Sequence, residues 1–250
     1  MMRMPNIQGL IRRRLLVNYR MDPAMIQRQL PAPFRPKLQR GYAIAGICLI
    51  RLEHIRPTFV PSAFGFSSEN AAHRIAVTWE DDTGEHEGVY IPRRDTSSLI
   101  NWIAGGRVFP GEHNHAAFEV TEQNNHIQLR MESRDRLVKV ELSAGLSSEI
   151  PQDSCFGTIE EASKFFESGS LGYSATASKQ RLDGIRLKTE EWKVEPLAVE
   201  RVFSSYFADN SLFPAGSSFF DCALIMRNVR HEWHAESDLY IEPAQWARRD

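Results

Sequence analysis

Short runs of alternating or clustered hydrophobic residues recur along the chain, a pattern typical of β-strands. The run RRRLLVNYRM predicts a strand over 12–21. Long apolar runs predict three more at 41–52, 73–80 and 86–91, and EDDTGEHE between the last two has the composition of a hairpin turn. Later alternating runs predict strands at 115–121, 126–131, 136–142, 171–176, 181–187, 192–203 and 217–229.

Three short segments with helix-capping residues interrupt these strands. They are PAMIQRQL after Asp22, LINWIA after Ser97 or Ser98 and before Gly105-Gly106, and IEEASKFFES after Thr158 with Glu161. About ten strands with few helices, and without a strand–helix rhythm, predict a β-rich α+β fold in which an antiparallel sheet closes on itself. A parallel nucleotide-binding sheet is disfavoured, since no G-x-G-x-x-G or Walker sequence is present.

Composition and charge restrict the classes of partner. The chain has 250 residues, a net charge of −2 and basic residues scattered along its length, which argues against nucleic acid as a partner. The most apolar run, GYAIAGICLI, is about half a membrane span and is interpreted as a buried strand, so no membrane partner is expected. Three widely separated cysteines without CxxC spacing suit a reducing cytoplasm; Cys48 and Cys222 are predicted to be buried, inert thiols.

Four stretches, taken in order, resemble the acetoacetate decarboxylase-like superfamily, and specifically its uncharacterised bacterial branch. They are VNYRMDPAMIQRQLPAPF, FSSENAAHRIAV, VYIPRRDTSSL and FFDCALIMRNVRHEW. The resemblance covers about residues 12–240 and implies one domain over 1–250. The implied fold is an antiparallel β cone or double barrel around a closed apolar pocket. The family often forms oligomers, so a homo-oligomer is an open alternative.

The resemblance also bears on the chemistry of the pocket. In the true decarboxylases the proline of the third stretch is followed by two lysines, and the first forms a Schiff base with a β-keto acid. Here Arg93 and Arg94 occupy those positions. A guanidinium stays protonated and offers no lone pair for an imine, so we predict that this position does not support Schiff-base decarboxylation. An arginine there can instead hold a carboxylate.

Neighbouring residues on an extended segment face opposite ways, so an orientation into the pocket is favoured for Arg93 over Arg94. Glu69 matches a family glutamate that lines the pocket. We expect it to face Arg93 and to orient the ligand or transfer a proton. Asn70, Ser67 or Ser68 would supply further hydrogen bonds to this pair, and Asn70 is included with Arg93 and Arg94 among the substrate-binding residues.

Three other features have weaker functional interpretations. Lys139 is the lysine most central in a predicted strand and could carry a relocated imine, although solvent exposure explains its mixed strand face more simply. His113 and His115 have a spacing compatible with zinc or iron, but the sequence implies no third ligand. HEWH at 231–234 lacks the HExxH spacing and is interpreted as a strand end. We therefore expect neither a metal nor another cofactor.

Three hypotheses of function follow. The leading one is a pocket that binds a small organic acid or carbonyl compound, with any catalysis being lyase-like acid–base chemistry without an imine. The second is a non-catalytic ligand-binding or sensor protein that uses the same pocket. The third is a structural or interaction role, which predicts a filled interior without a cavity.

Overall fold

A computed structural model of the protein describes residues 5–104, 110–178 and 180–241. Its strands are β1 (Ile7–Met21), β2 (Arg35–Pro36), β3 (Leu38–Gln39), β4 (Tyr42–Pro57), β5 (Phe66–Asp81), β6 (Gly84–Thr96), β7 (His113–Gln123), β8 (His126–Ser133), β9 (Lys139–Leu146), β10 (Leu171–Ala175), β11 (Arg181–Thr189), β12 (Glu195–Ser204), β13 (Ser218–Ala235) and β14 (Leu239–Tyr240). Its helices are α1 (Pro23–Gln29), α2 (Leu99–Ala104) and α3 (Ile159–Ser168), with a 3-10 turn at Ser62–Phe64.

The strands close into two rings that share a wall. One ring runs β6-β7-β8-β9-β12-β13-β1-β4-β5 and closes where β5 pairs with β6; we call it the large barrel. The other runs β10-β6-β5-β4-β1-β13-β11 and closes where β10 pairs with β11; we call it the small barrel. Strands β13, β1, β4, β5 and β6 belong to both rings and form the shared wall. The predicted β-rich double barrel is confirmed.

The predicted strands and helices all overlap observed ones. Strands β2, β3 and β14 are two residues long, which is too short to leave a periodic signal. Strand β6 was predicted to end near Ile91 and continues to Thr96, so Arg93 and Arg94 lie inside a strand. The predicted end of α2 at Gly105-Gly106 lies outside the described residues.

Side-chain caps begin α1 and α3 as predicted. The Asp22 carboxylate accepts the backbone N–H of Ala24 at 2.7 Å, and the Thr158 hydroxyl accepts that of Glu161 at 3.2 Å. The capping box of α3 is half formed, because the Glu161 carboxylate binds Arg40 at 3.0 Å instead of returning to Thr158. No helix in the described ranges combines the length and apolar character of a membrane span.

The shared wall buries both of its faces. On β1, Leu15 and Val17 join the core of the large barrel, whereas Leu16 belongs to a second cluster on the opposite face. That second cluster includes Phe156, which is fully buried and packs edge-on or tilted against two phenylalanines of α3, Phe165 and Phe166. This aromatic group therefore fixes α3 against the wall at the side of the small barrel.

Removing the Phe156 ring should loosen α3. We expect Phe156→Ala to lower the free energy of unfolding by about 3–5 kcal/mol, because a fully buried aromatic side chain leaves a cavity. Urea denaturation monitored by circular dichroism measures this. Phe59→Ala is the control, since Phe59 is 77% exposed and its loss should change stability by less than about 0.5 kcal/mol. Equal effects of the two substitutions would contradict the assigned role of Phe156.

Candidate functional site: an arginine-lined cavity

A cavity of about 110 Å³ lies inside the small barrel. All seven strands of that barrel and α3 contribute to it, and its lining is mostly apolar, with Ile50, Leu52, Ile91, Phe166, Ile185 and Trp233 among the residues. A single water needs roughly 10–15 Å³ by the same kind of measure, so the space is several times larger than one water requires. The filled interior expected for a purely structural protein is not observed here.

Small side chains on the shared wall make this space. Cys48 on β4 pairs across the sheet with Ala72 on β5, and Ala72 pairs with Arg94 on β6. On the other side of β4, Arg14 of β1 directs its Nε–H to the Cys48 sulfur at 3.2 Å. Cys48 and Ala72 thus form a floor of small residues, with an arginine on the neighbouring strand at each side.

A break in the β5–β6 register decides which arginine of the Arg93-Arg94 pair faces the cavity. Val89 and Ile91 line it, so simple alternation would place Arg93 there next. The pairing shifts between His73 and Ile75 of β5, opposite the segment of β6 that contains Pro92. A proline cannot donate a ladder hydrogen bond and is accommodated at bulges. The extra residue reverses the alternation, and Arg94 lines the cavity.

The predicted orientation of Arg93 is therefore wrong. Its guanidinium binds the buried carboxylate of Asp95 at 2.8 Å and that of Asp135 at 3.0 Å, and it is absent from the cavity lining. Burial raises the pKa of Asp95, while the charge and hydrogen bonds of Arg93 oppose this effect. In this position Arg93 neutralises a buried acid, which is a structural task.

Arg94 is held at the edge of the cavity by β10. Its Nε donates to the Ser174 hydroxyl at 2.9 Å. Burial lowers the pKa of Arg94 to about 10, so the side chain stays charged at neutral pH. Asp183 also lies near this end, where it accepts the backbone N–H of Gly111 at 2.9 Å and pairs with Arg181 at 3.0 Å.

Arg74 is a second cavity arginine, which sequence reasoning missed. The residue is 5% exposed, and its Nη2 donates to the Asn18 side-chain oxygen at 2.5 Å across β4. On β4 the Arg74 side chain crosses Gly46. A larger residue would clash at this position, because a Cβ there would come within 2.3 Å of the Val17 carbonyl oxygen. Burial lowers the pKa of Arg74 to about 10. A signal was present, because an arginine in the apolar run AAHRIAV is unusual for a buried strand.

Arg14 is the third cavity arginine and was also missed. Besides its contact with Cys48, its guanidinium lies 5.5 Å from the ring centre of Trp192. Arg14 Nη1 and Arg74 Nε are buried and have no hydrogen-bond partner among the described residues. These donors are costly to leave unpaired. The positive charge of the cavity therefore comes from three arginines in its lining, Arg14, Arg74 and Arg94.

Glu69 does not face Arg93, contrary to our expectation. Its carboxylate accepts a hydrogen bond from Arg13 Nη2 at 2.7 Å and does not line the cavity. Burial raises the pKa of Glu69, and Arg13 opposes this effect. Asn70, two strands from Arg14, does lie on the cavity wall, where its amide donates to the Ser68 hydroxyl at 2.9 Å. The catalytic assignment of Glu69 and the ligand contact of Asn70 remain predictions.

The remaining candidate residues are dispersed. His113 lines the cavity, and its burial near Arg94 lowers its pKa to about 3, which keeps the ring neutral at pH 7. His115 packs against Trp102 instead, with ring centres 5.8 Å apart. Lys139 is half exposed and pairs with Glu141 at 2.9 Å, and HEWH lies inside β13. Across the described ranges no three histidine, cysteine, aspartate or glutamate side chains cluster as metal ligands do.

Solved structures with the same architecture define the class of protein. An acetoacetate decarboxylase-like enzyme from Sphingomonas wittichii RW1 matches with a TM-score of 0.59 and 13% identity over 97% of this chain and 94% of that one. The acetoacetate decarboxylase of Legionella pneumophila matches with a TM-score of 0.56 and 13% identity over 94% and 88%. The protein thus has the acetoacetate decarboxylase-like fold that the sequence resemblance implied.

Within that fold the family is identified by sequence. The family model DUF2071, described as an uncharacterized conserved protein, matches residues 10–223, so the chain belongs to this family. A comparison with curated proteins gives no match. The enduracididine biosynthesis enzyme MppR, in complex with pyruvate, is a further structural match, with a TM-score of 0.59 and 10% identity over 98% of this chain and 93% of that one.

The three cysteines should differ in reactivity, because Cys48 borders the cavity and the other two do not. Cys155 and Cys222 lie beside Asp221; burial and this carboxylate raise the pKa of Cys155 to about 12 and raise that of Cys222 as well. We expect iodoacetamide to label Cys48 first in the folded protein, as followed by peptide mass spectrometry. Cys48→Ser should abolish the early labelling. Earlier labelling of Cys155 or Cys222 would contradict the assignment of Cys48 to an accessible cavity.

Proposed function

We propose that the small barrel binds a small organic anion, most simply a carboxylic acid or keto acid, with Arg94 as an anchor. The observation that carries this proposal is the charge of the cavity. Three arginines line it, whereas the one carboxylate on its wall among the described residues, Asp95, is already bound by Arg93. Burying cations is costly unless an anion compensates them.

The surroundings suit a carboxylate in particular. A guanidinium can make two parallel charge-assisted hydrogen bonds to a carboxylate, and the apolar lining shelters these bonds from water. Asn70 and Ser68 add polar groups on the same wall. The structural match with MppR is compatible with this ligand class, since that protein is in complex with pyruvate.

We further propose that any chemistry here proceeds without an imine. No lysine is found among the described residues that line the cavity, and Lys139 lies outside the lining. Two acid–base candidates lie on the wall among the described residues, Asp95 and His113. Asp95 is bound by Arg93, and the low pKa of His113 makes it a neutral hydrogen-bonding group at pH 7 rather than an acid. These features favour the binding or sensor alternative over an acid–base lyase.

The adjacent arginines provide a matched test of the anchor. We expect acetate, pyruvate, acetoacetate or succinate to raise the melting temperature of the parent protein. Arg94→Gln should weaken that binding by about 1.5–3 kcal/mol, roughly 10- to 100-fold in Kd, because a charged hydrogen-bond donor is lost. Arg93→Gln should lower stability without ligand, because Asp95 loses its partner, yet retain the ligand-induced increment. Differential scanning fluorimetry measures the melting temperatures, and calorimetric titration measures Kd. If the ligand raises the melting temperature of Arg94→Gln as much as that of the parent protein, Arg94 is not the anchor.

Borohydride trapping tests the absence of an imine. Incubation with acetoacetate or pyruvate and sodium borohydride should leave the intact mass of the protein unchanged, because an arginine cannot form the reducible adduct. An acetoacetate decarboxylase treated in parallel is the positive control. A mass increase that maps to Lys139 or any other lysine would show that an imine forms after all.

A further inference from the structure

The cations of the cavity occupy two separate places on the shared wall. Arg14 belongs to β1 and Arg94 to β6, and β4 and β5 run between them. Neighbouring strands lie about 4.8 Å apart, so the two backbones are separated by about 14 Å along the wall. Arg74 extends from β5 toward β1, where it reaches Asn18. The charges are therefore arranged as Arg94 at one end and Arg14 with Arg74 at the other.

The side chains of the two ends lean in different directions. Arg14 Nε is directed toward the sulfur of Cys48, over the floor of small residues. Arg94 Nε is directed toward Ser174 of β10, beyond the opposite edge of that floor. Cys48 and Ala72 between them leave room for an uncharged segment of a ligand.

The charge of the cavity lining favours a ligand with more than one negative group. Three guanidiniums line the cavity; Arg94 interacts electrostatically with Asp183, and Asp95, the carboxylate on the wall among the described residues, is bound by Arg93. At the end formed by Arg14 and Arg74, the described lining contains no carboxylate besides Asp95. A monocarboxylate held by Arg94 would leave the cations of the other end uncompensated.

We propose that the ligand is a dianion, such as a short dicarboxylic acid, that bridges Arg94 at one end of the cavity and Arg14 with Arg74 at the other. This inference rests on the proposed function, since it specifies the class of anion that the same cavity takes. Arg14 then acts as the specificity-determining residue, because its end of the cavity distinguishes a second carboxylate from a neutral group.

The test compares diacids with ligands of the same length and shape that carry one charge fewer. Succinate, glutarate and adipate are titrated against their monoamides at constant ionic strength. For at least one chain length we expect the diacid to bind about tenfold more tightly, the effect of one additional charged hydrogen bond. In Arg14→Gln most of this preference for the diacid should be lost, although Arg74 remains at that end, and the affinity for the monoamide should change by less than about threefold.

Two further variants keep this test interpretable. Arg14→Lys retains the cation and should retain most of the preference for the diacid. Arg12→Gln is the surface control, because the Arg12 side chain is 54% exposed and pairs with Glu53 outside the cavity. It should change neither affinity.

The outcomes separate this inference from the proposed function. If the monoamides bind and no diacid binds more tightly, the proposal of a dianionic ligand is wrong, but the proposed carboxylate site is retained. A preference for the diacid that is unchanged in Arg14→Gln also overturns the inference, because Arg14 then does not determine the specificity. If neither the diacids nor the monoamides bind, both proposals fail.

Discussion

The shared wall must bury both of its faces, since one face meets the core of the large barrel and the other meets the interior of the small barrel. This requirement explains the near-continuous apolar run of β4, which has the composition of a strand covered on both sides. It also means that a charged residue in the middle of the wall is largely shielded from solvent, as Arg13, Arg74 and Asp95 are.

The arginines of the wall are of two kinds. Arg13 and Arg14 are neighbours on β1, yet Arg13 is held by Glu69 and Glu122 while Arg14 lines the cavity. Arg93 and Arg94 repeat this division on β6, because Arg93 is held by Asp95 and Asp135 while Arg94 lines the cavity. In both pairs the arginine that is bound by carboxylates is absent from the cavity lining. This division within each pair follows from the alternation of side chains along a strand.

Most of the fold could be predicted from the sequence, but the geometry of the site could be predicted only in part. Hydrophobic periodicity and capping residues located the main strands and all three helices, because these signals are local. The orientation of Arg93 and Arg94 depended on one irregularity, the shifted register opposite Pro92, which reverses the alternation that follows it. A proline inside an apolar strand was the available warning. The ion pair of Glu69 with Arg13 joins positions 56 residues apart, and no local pattern encodes it.

The same irregularity explains why the two consecutive arginines cannot exchange roles. Arg93 is committed to Asp95, whose side chain is fully buried, so turning Arg93 toward the cavity would leave an uncompensated charge inside the protein. Arg94 has the opposite constraint, since its side chain is positioned by Ser174 of a strand that belongs only to the small barrel. A guanidinium at residue 94 therefore adds positive charge to the cavity while the one at residue 93 stabilises the wall. The irregularity thus directs one arginine to a buried ion pair and the other to the cavity.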